Sequence, residues 1–306
     1  MDPGRAHPTG FRRTAGERDK GLCPQMVAEK FRFRFRKVGD LRLLSHLDLT
    51  RCFERMLRRA EIPFKSSEGF HPSPRMVFAL SMPLGCDGAN EVLELELLQP
   101  LDGEELRERL NRQAPTGLEF RSSAAVPMNK SAMARRSEYT LAIPQERAAE
   151  LQLRIDAAMA GDKLWVERLK PKPRRLNIRP YVRNMSILDS VRAGSVSDDA
   201  NEDSHSRFRL GSEQLLLDLW VTPYGTARAD ELLKHLGVDD LLDTGSILMR
   251  RHLEIHDETE PQEGTDRPPE GVPESTPWDH APASAGGHGE PASATWGLSP
   301  NGPVVE

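Results

Sequence analysis

The densest basic stretch of this 306-residue chain is KPKPRRLNIRPYVRN, residues 170–184. Across 163–184, eight Lys and Arg face a single acid, Glu167, a net charge of +7. Prolines at 171, 173 and 180 keep such a run extended and its charges in water. Lys170, Lys172, Arg174, Arg175 and Arg179, with Tyr181 among them, suit a segment that follows a phosphate backbone and stacks a base. The same run also fits a solvated loop, or a dock for an acidic partner or for the acidic tail of the chain itself.

A second constellation is Gly69-Phe70-His71-Pro72-Ser73-Pro74-Arg75. Two prolines at i and i+2 remove two donors and stiffen the backbone, and Gly69 permits a sharp entry. An aromatic, an imidazole and a guanidinium held in one rigid loop suit stacking combined with phosphate contact. The competing reading is a rigid crossover in which Phe70 plugs the core.

Upstream, Ser45-His46-Leu47-Asp48 opens a helical pattern. Ser45 as N-cap with Asp48 three residues on resembles a capping box in its Asp form, a structural task. His46 falls about 60° from Leu49 at 100° per residue, near the apolar face and at the positive helix end. A neutral imidazole there could serve as base, ligand or packed side chain. Arg51, Arg55 and Arg58 lie opposite the apolar stripe Leu49, Phe53, Met56, Leu57 and Ala60. Thr222-Pro-Tyr-Gly-Thr-Ala-Arg228 enters a later helix, and a lone Gly225 there reads as a plain turn rather than an anion site.

The elements that must carry these residues follow from periodicity. FRFRFRK alternates as a half-buried strand, with Phe31, Phe33 and Phe35 inward. Arg32, Arg34 and Arg36 then share the other face. Either that face is an open basic platform for RNA, or Glu94 and Glu96 of a neighbouring strand pair with it; cross-strand ion pairs are the favoured reading. MVFALSM (76–82) and EVLELELL (91–98) read as strands, Asp102 opens a helix, and LEF (118–120) closes the unit. The second half repeats the order more loosely: EYTLAI (138–143), a helix from Pro144 to Gly161, KLWVERL (163–169), QLLLDLWV (214–221), a helix ended by Gly237, and ILMRRHLEI (247–255). The expected class is α+β, two tandem ferredoxin-like (βαββαβ) units over 29–126 and 127–255, the second interrupted by a polar loop at 190–206.

Composition bounds the rest. The net charge is −5, yet 256–306 alone carries ten acids against Arg267, leaving residues 26–255 at +2. The ends, 1–28 and the acidic Pro/Gly-rich 256–306, read as disordered. No run of 18 apolar residues exists, so no spanning helix and no membrane partner is expected. The N-terminus lacks the apolar core of a secretory signal. Three dispersed cysteines, Cys23, Cys52 and Cys86, exclude a disulfide scaffold and an in-chain four-Cys zinc site, and fit a cytoplasmic protein. Nucleotide-loop, zincin, hydrolase-elbow and iron–sulfur spacings are missing, so no metal site is expected and no catalytic residue is assigned.

Residues 33–85 resemble the opening of the radical-SAM-linked protein family, also called DUF2344. The likeness runs through Lys37-x-Gly39, the Ser-His-Leu-Asp helix start, Glu68-Gly-Phe-x-Pro-x-Pro-Arg75 and Pro83-Leu-Gly85. It continues at Ile178-Arg-Pro-Tyr181 and Gly225-Thr-Ala-Arg228, spanning about 31–255. The family is named for genes beside, or fused to, a B12-binding-type radical-SAM protein, often near ribosomal-protein and ribonuclease genes. The resemblance implies a separate partner that carries the iron–sulfur cluster and S-adenosylmethionine, with no cofactor in this chain. The matching positions are Ser45, His46, Asp48, Gly69, Phe70, Pro72, Pro74 and Arg75.

The leading expectation is a non-catalytic accessory protein of a radical-SAM enzyme that binds rRNA or tRNA for modification or processing. One alternative is a metal-independent endonuclease of the CRISPR-repeat-processing type, with His46 or His71 as general base and Arg75 steadying the phosphate. The other is a protein–protein scaffold that binds no RNA.

Overall fold

The computed structural model describes residues 29–170, 172–188, 213–258 and 267–277. The segment 1–28 and the polar loop 190–206 lie outside these residues.

The first half runs β1 (Glu29–Lys37), α1 (His46–Arg59), β2 (Met76–Phe78), β3 (Asp87–Leu97), α2 (Gly103–Asn111) and β4 (Leu118–Val126). The strands stand in the order β4-β1-β3-β2, every pairing antiparallel. Phe31, Phe33 and Phe35 point to one face and are buried, as their alternation requires. They meet Leu49, Phe53, Met56 and Leu57 from α1 and Leu106 and Leu110 from α2. The aromatic rings pack edge to face: Phe53 lies 5.5 Å from both Phe35 and Phe120, near perpendicular to each.

The second half runs β5 (Ala134–Ile143), α3 (Gln145–Ala160), β6 (Trp165–Arg168), β7 (Arg174–Asn177), β8 (Val182–Leu188), β9 (Glu213–Thr222), the short β10 (Gly225–Thr226), α4 (Ala229–Leu236) and β11 (Met249–Ile255). The order β11-β5-β9-β8 is again antiparallel throughout. Leu215, Leu217 and Leu219 of β9 pack against Leu151 and Ile155 of α3 and Leu232, Leu233 and Leu236 of α4.

Two expectations need correction here. The KLWVERL segment does not stand beside β9; β8 holds that position, and β6 pairs with β7 in a separate three-stranded sheet. Only residues 169–173 separate β6 from β7 in sequence, so β6 takes the strand next to it as partner. This sets Arg168 opposite Arg174, and Glu231 offsets the like charge by accepting two bonds from Arg168, at 2.6 and 2.9 Å. The tail is also ordered in part. His256–Glu258 forms a turn of 3-10 helix, and β12 (Ser275–Pro277) completes the small sheet on the free edge of β7.

One continuous sheet joins the two halves. β11 pairs in parallel with the first residues of β3, Met249 with Asp87 and Arg250 with Gly88. Beneath that junction Arg250 is fully buried and Glu91 nearly so. Arg250 donates from Nε to Glu91 Oε1 at 2.8 Å and from Nη2 to the other carboxylate oxygen. Its remaining donors reach the carbonyls of Leu80 and Ser81 and the Tyr139 hydroxyl. Burial alone would lower its pKa; the Glu91 carboxylate outweighs that and holds it raised. Nearby, burial pushes the Cys86 thiol up to about 12 and lowers the Lys37 ammonium.

Candidate nucleic-acid interface

The face of the sheet opposite the Phe layer holds a lattice of ion pairs. Arg32 stands directly across from Glu94 and donates to it at 2.8 and 3.1 Å. Nη1 and Nη2 also donate to Asp257, at 3.0 and 2.8 Å, and Arg34 binds Glu258. Glu96 turns instead to Lys65 and Arg75, at 3.2 and 3.5 Å. On the second half Arg136 bridges Glu138, Asp218 and Glu254, while the guanidinium groups of Arg135 and Arg183 lie 4.9 and 5.6 Å from the Trp220 ring. The favoured cross-strand pairing is therefore present at Arg32, and the start of the acidic tail seals it. A balanced, covered face offers no free cationic platform to a strand of RNA.

At the start of α1, Ser45 Oγ accepts the Asp48 amide at 3.1 Å, the N-cap expected from the motif. Such a cap contributes about 1 kcal/mol. The ring of His46 rests edge-on against Phe78, centroids 5.0 Å apart, and burial lowers its pKa. Arg51 and Arg58 are exposed, each held to a carboxylate on its own helix, Asp48 at 3.3 Å and Glu54 at 2.8 Å. Pairs of this kind are worth about 0.3–0.5 kcal/mol, so they let go readily for a stronger anion. Arg55 is exposed between them.

The Gly69–Arg75 segment is a closed hairpin loop. Ser67 N–H donates to the Ser73 carbonyl at 2.8 Å, the Ser73 N–H returns to Ser67 Oγ at 3.1 Å, and Arg75 N–H reaches the Lys65 carbonyl at 2.8 Å. Gly69 has a φ of +143°, a region that favours glycine. Phe70 stands fully in solvent with His71 beside it, so the core-plug reading falls. Its ring is available to a planar partner. The loop base adjoins α1, where the Arg58 guanidinium lies 5.5 Å over the Phe64 ring. Among the described residues, no hydrogen bond, ion pair or ring contact links His46 to His71 or Arg75.

The β6–β7 hairpin holds the least compensated charge. Lys170, Lys172, Arg174 and Arg175 are all exposed, and none has a carboxylate within ion-pair distance among the described residues. Glu167 stands across the ladder from Arg175 without an ion pair to it. The half-buried Trp165 lies beneath this edge, with Arg175 5.6 Å and Lys163 5.7 Å from the ring. Two residues read as part of the run are excluded from it. Tyr181 is buried, 2% exposed, and packs so close to the turn that a Cβ at Gly225 would lie 3.4 Å from its hydroxyl. Arg179 spends its donors on three carbonyls, those of Met159, Gly161 and Val182. Both belong to the framework that carries the hairpin. The loop patch (Arg58, Phe70, His71, Arg75) belongs to the half built on β1–β4 and the hairpin patch to the small sheet, and no hydrogen bond, ion pair or ring contact joins them among the described residues.

Sequence reasoning missed the Arg250–Glu91 junction. Its one signal was an arginine inside the otherwise apolar ILM start of a strand.

A mixed α+β protein, with one large sheet and an added basic hairpin, is the class that fold and site define. The chain belongs to the DUF2344 family, described as an uncharacterized protein conserved in bacteria, whose model matches residues 30–210. No curated protein matches. Among solved structures, a crystal structure of an unknown protein from Galdieria sulphuraria is 14% identical, covering 75% of this chain and 99% of its own, with a TM-score of 0.21. No helix among the described residues is long and apolar enough to cross a membrane, and no cluster of three His, Cys, Asp or Glu among them is placed to hold a metal ion.

Proposed function

We propose that this protein is a non-catalytic, RNA-binding accessory protein of a radical-SAM enzyme, presenting rRNA or tRNA for modification or processing. The observation that carries RNA binding is the β6–β7 hairpin, where four exposed cations have no carboxylate partner among the described residues and one of them, Arg175, lies 5.6 Å from the Trp165 ring. Counterion release from phosphates bound there supplies sequence-independent affinity, and an aromatic beside it can add stacking. The exposed Phe70 loop gives a second contact. The radical-SAM partner rests on the resemblance in residues 33–85; that partner would bring the iron–sulfur cluster and S-adenosylmethionine, and both proteins would work in the cytoplasm. The strand order β4-β1-β3-β2, repeated as β11-β5-β9-β8, supports the tandem ferredoxin-like reading.

Filter binding of purified protein to rRNA and tRNA across a monovalent salt series tests the proposal. Micromolar or tighter affinity with a steep salt slope is expected, and a flat slope removes it. Co-purification of a radical-SAM protein from RNase-treated lysate tests the partner.

Phe70→Ser separates binding from folding. The ring touches no core, so the melting transition should stay within about 0.5 kcal/mol of wild type. Loss of one stacking partner should weaken RNA binding by about 1–3 kcal/mol. Unchanged affinity in the titration would remove the loop from the interface.

A further inference from the structure

We infer that residues 267–277 form a strap along the outer edge of the basic hairpin that competes with RNA there, and that RNA binds more tightly once the strap lifts. The inference rests on the RNA-binding reading above and adds its regulation. The strap lies along the outer edge of β7: Ser275 pairs with Leu176, Thr276 with Arg175 and Pro277 with Arg174. The Asn177 amide donates to the Glu274 carbonyl at 2.9 Å, and the Lys163 ammonium holds the Glu274 carboxylate at 2.9 Å. A segment that reads as acidic tail thus occupies the backbone edge and one flanking cation of the hairpin.

The strap also flanks Tyr224, which stays 56% exposed. Val272 and Pro273 wall a cleft of about 50 Å³ against Arg174 and Tyr224. Arg267 to Glu270 cross a wider one of about 290 Å³, bounded by Tyr224, Thr222 and His256. Lifting the strap would merge the two and bare an exposed tyrosine beside Arg174, the pairing of stacking surface and phosphate contact that a single strand uses.

The attachment is weak by construction. Its polar contacts are a three-residue ladder, the Asn177–Glu274 bond and one exposed ion pair, while Val272 projects largely into water. Exposed pairs contribute about 0–1 kcal/mol, and a short edge strand with little buried apolar surface opens at low cost. The strap belongs to the stretch 256–306, which carries a net −9. A tethered acidic competitor lowers apparent affinity by the fraction of time it leaves the site open.

The test uses the full chain. In an antiparallel ladder hydrogen-bonded pairs alternate, so the Asn177–Glu274 bond places the Thr276 amide against the Arg175 carbonyl. Thr276→Pro deletes that donor, and Glu274→Ala independently deletes the ion pair. Each variant and the wild type are titrated with a fluorescent single-stranded oligoribonucleotide and, separately, with heparin. Expected is binding of both probes tighter in either variant, by about tenfold in Thr276→Pro and by up to about fivefold in Glu274→Ala. Equal RNA affinity in all three proteins overturns the strap and leaves RNA binding in place. Absence of RNA binding throughout, with heparin still tightened, overturns the RNA reading and keeps the strap. No response to either probe overturns the strap. Hydrogen exchange at 174–177 gives a second measure: faster exchange in Thr276→Pro is required, and unchanged protection counts against the strap.

Discussion

Replacing Glu91 with alanine is expected to cost about 3–5 kcal/mol of folding stability, because it strands a guanidinium in the interior. Arg250 has no exposed surface, and Glu91 supplies both of its carboxylate contacts. The carbonyls of Leu80 and Ser81 and the Tyr139 hydroxyl would remain, which hydrogen-bond the donors but do not neutralise the charge. Urea denaturation reads the loss as a lowered midpoint at unchanged m-value. The paired substitution Glu91→Leu with Arg250→Met should recover most of it, since two apolar groups of similar volume remove the desolvation penalty together with the attraction. A loss below about 1 kcal/mol in Glu91→Ala would show that water reaches this junction.

Neutralising the hairpin should have the largest effect on binding. Lys170→Gln, Lys172→Gln, Arg174→Gln and Arg175→Gln together remove four cations that have no carboxylate partners among the described residues. Each phosphate contact on a single strand contributes about 0.7 to the salt exponent, so the slope should fall by about 3. Extrapolated from 1 M to 0.1 M salt, the same exponent corresponds to nearly three decades, or about 600-fold weaker binding. The four side chains are exposed and the ladder is made by backbone, so the melting temperature should hold. A variant whose slope and affinity match wild type would place the RNA elsewhere.

Much of the fold was legible, and the reasons differ by element. The Phe31–Phe35 alternation named its buried face because only one register hides three rings. The same arithmetic paired Arg32 with Glu94. Ser45 and Asp102 marked their helix starts through short-range capping, which needs no tertiary knowledge. The failures came from distance and from irregularity. β8 carries a bulge between Val182 and Asn184, which breaks the period-2 pattern, whereas KLWVERL reads cleanly and sits in the minor sheet. Arg250 and Glu91 are 159 residues apart, and nothing local to either announces the other. Tyr181 has charged neighbours in sequence, yet it is buried in the core of the second half, against residues such as Leu217 and Ala227 far along the chain. At the candidate interface the cations were legible as a set, but which of them stay free depended on long-range partners such as Glu231 and Glu274.

The parallel seam between β3 and β11 also bears on synthesis. About 150 residues separate Leu97, the end of β3, from Met249, the start of β11. At translation rates of roughly 5–20 residues per second, the first half emerges and can fold for about 8–30 s before its seam partner exists. During that interval the first rungs of β3 present an unpaired backbone, the kind of template on which nascent chains aggregate. Asp87 and Glu91 sit at that stretch, so its early guardians against wrong pairing are the same two acids that the finished protein buries.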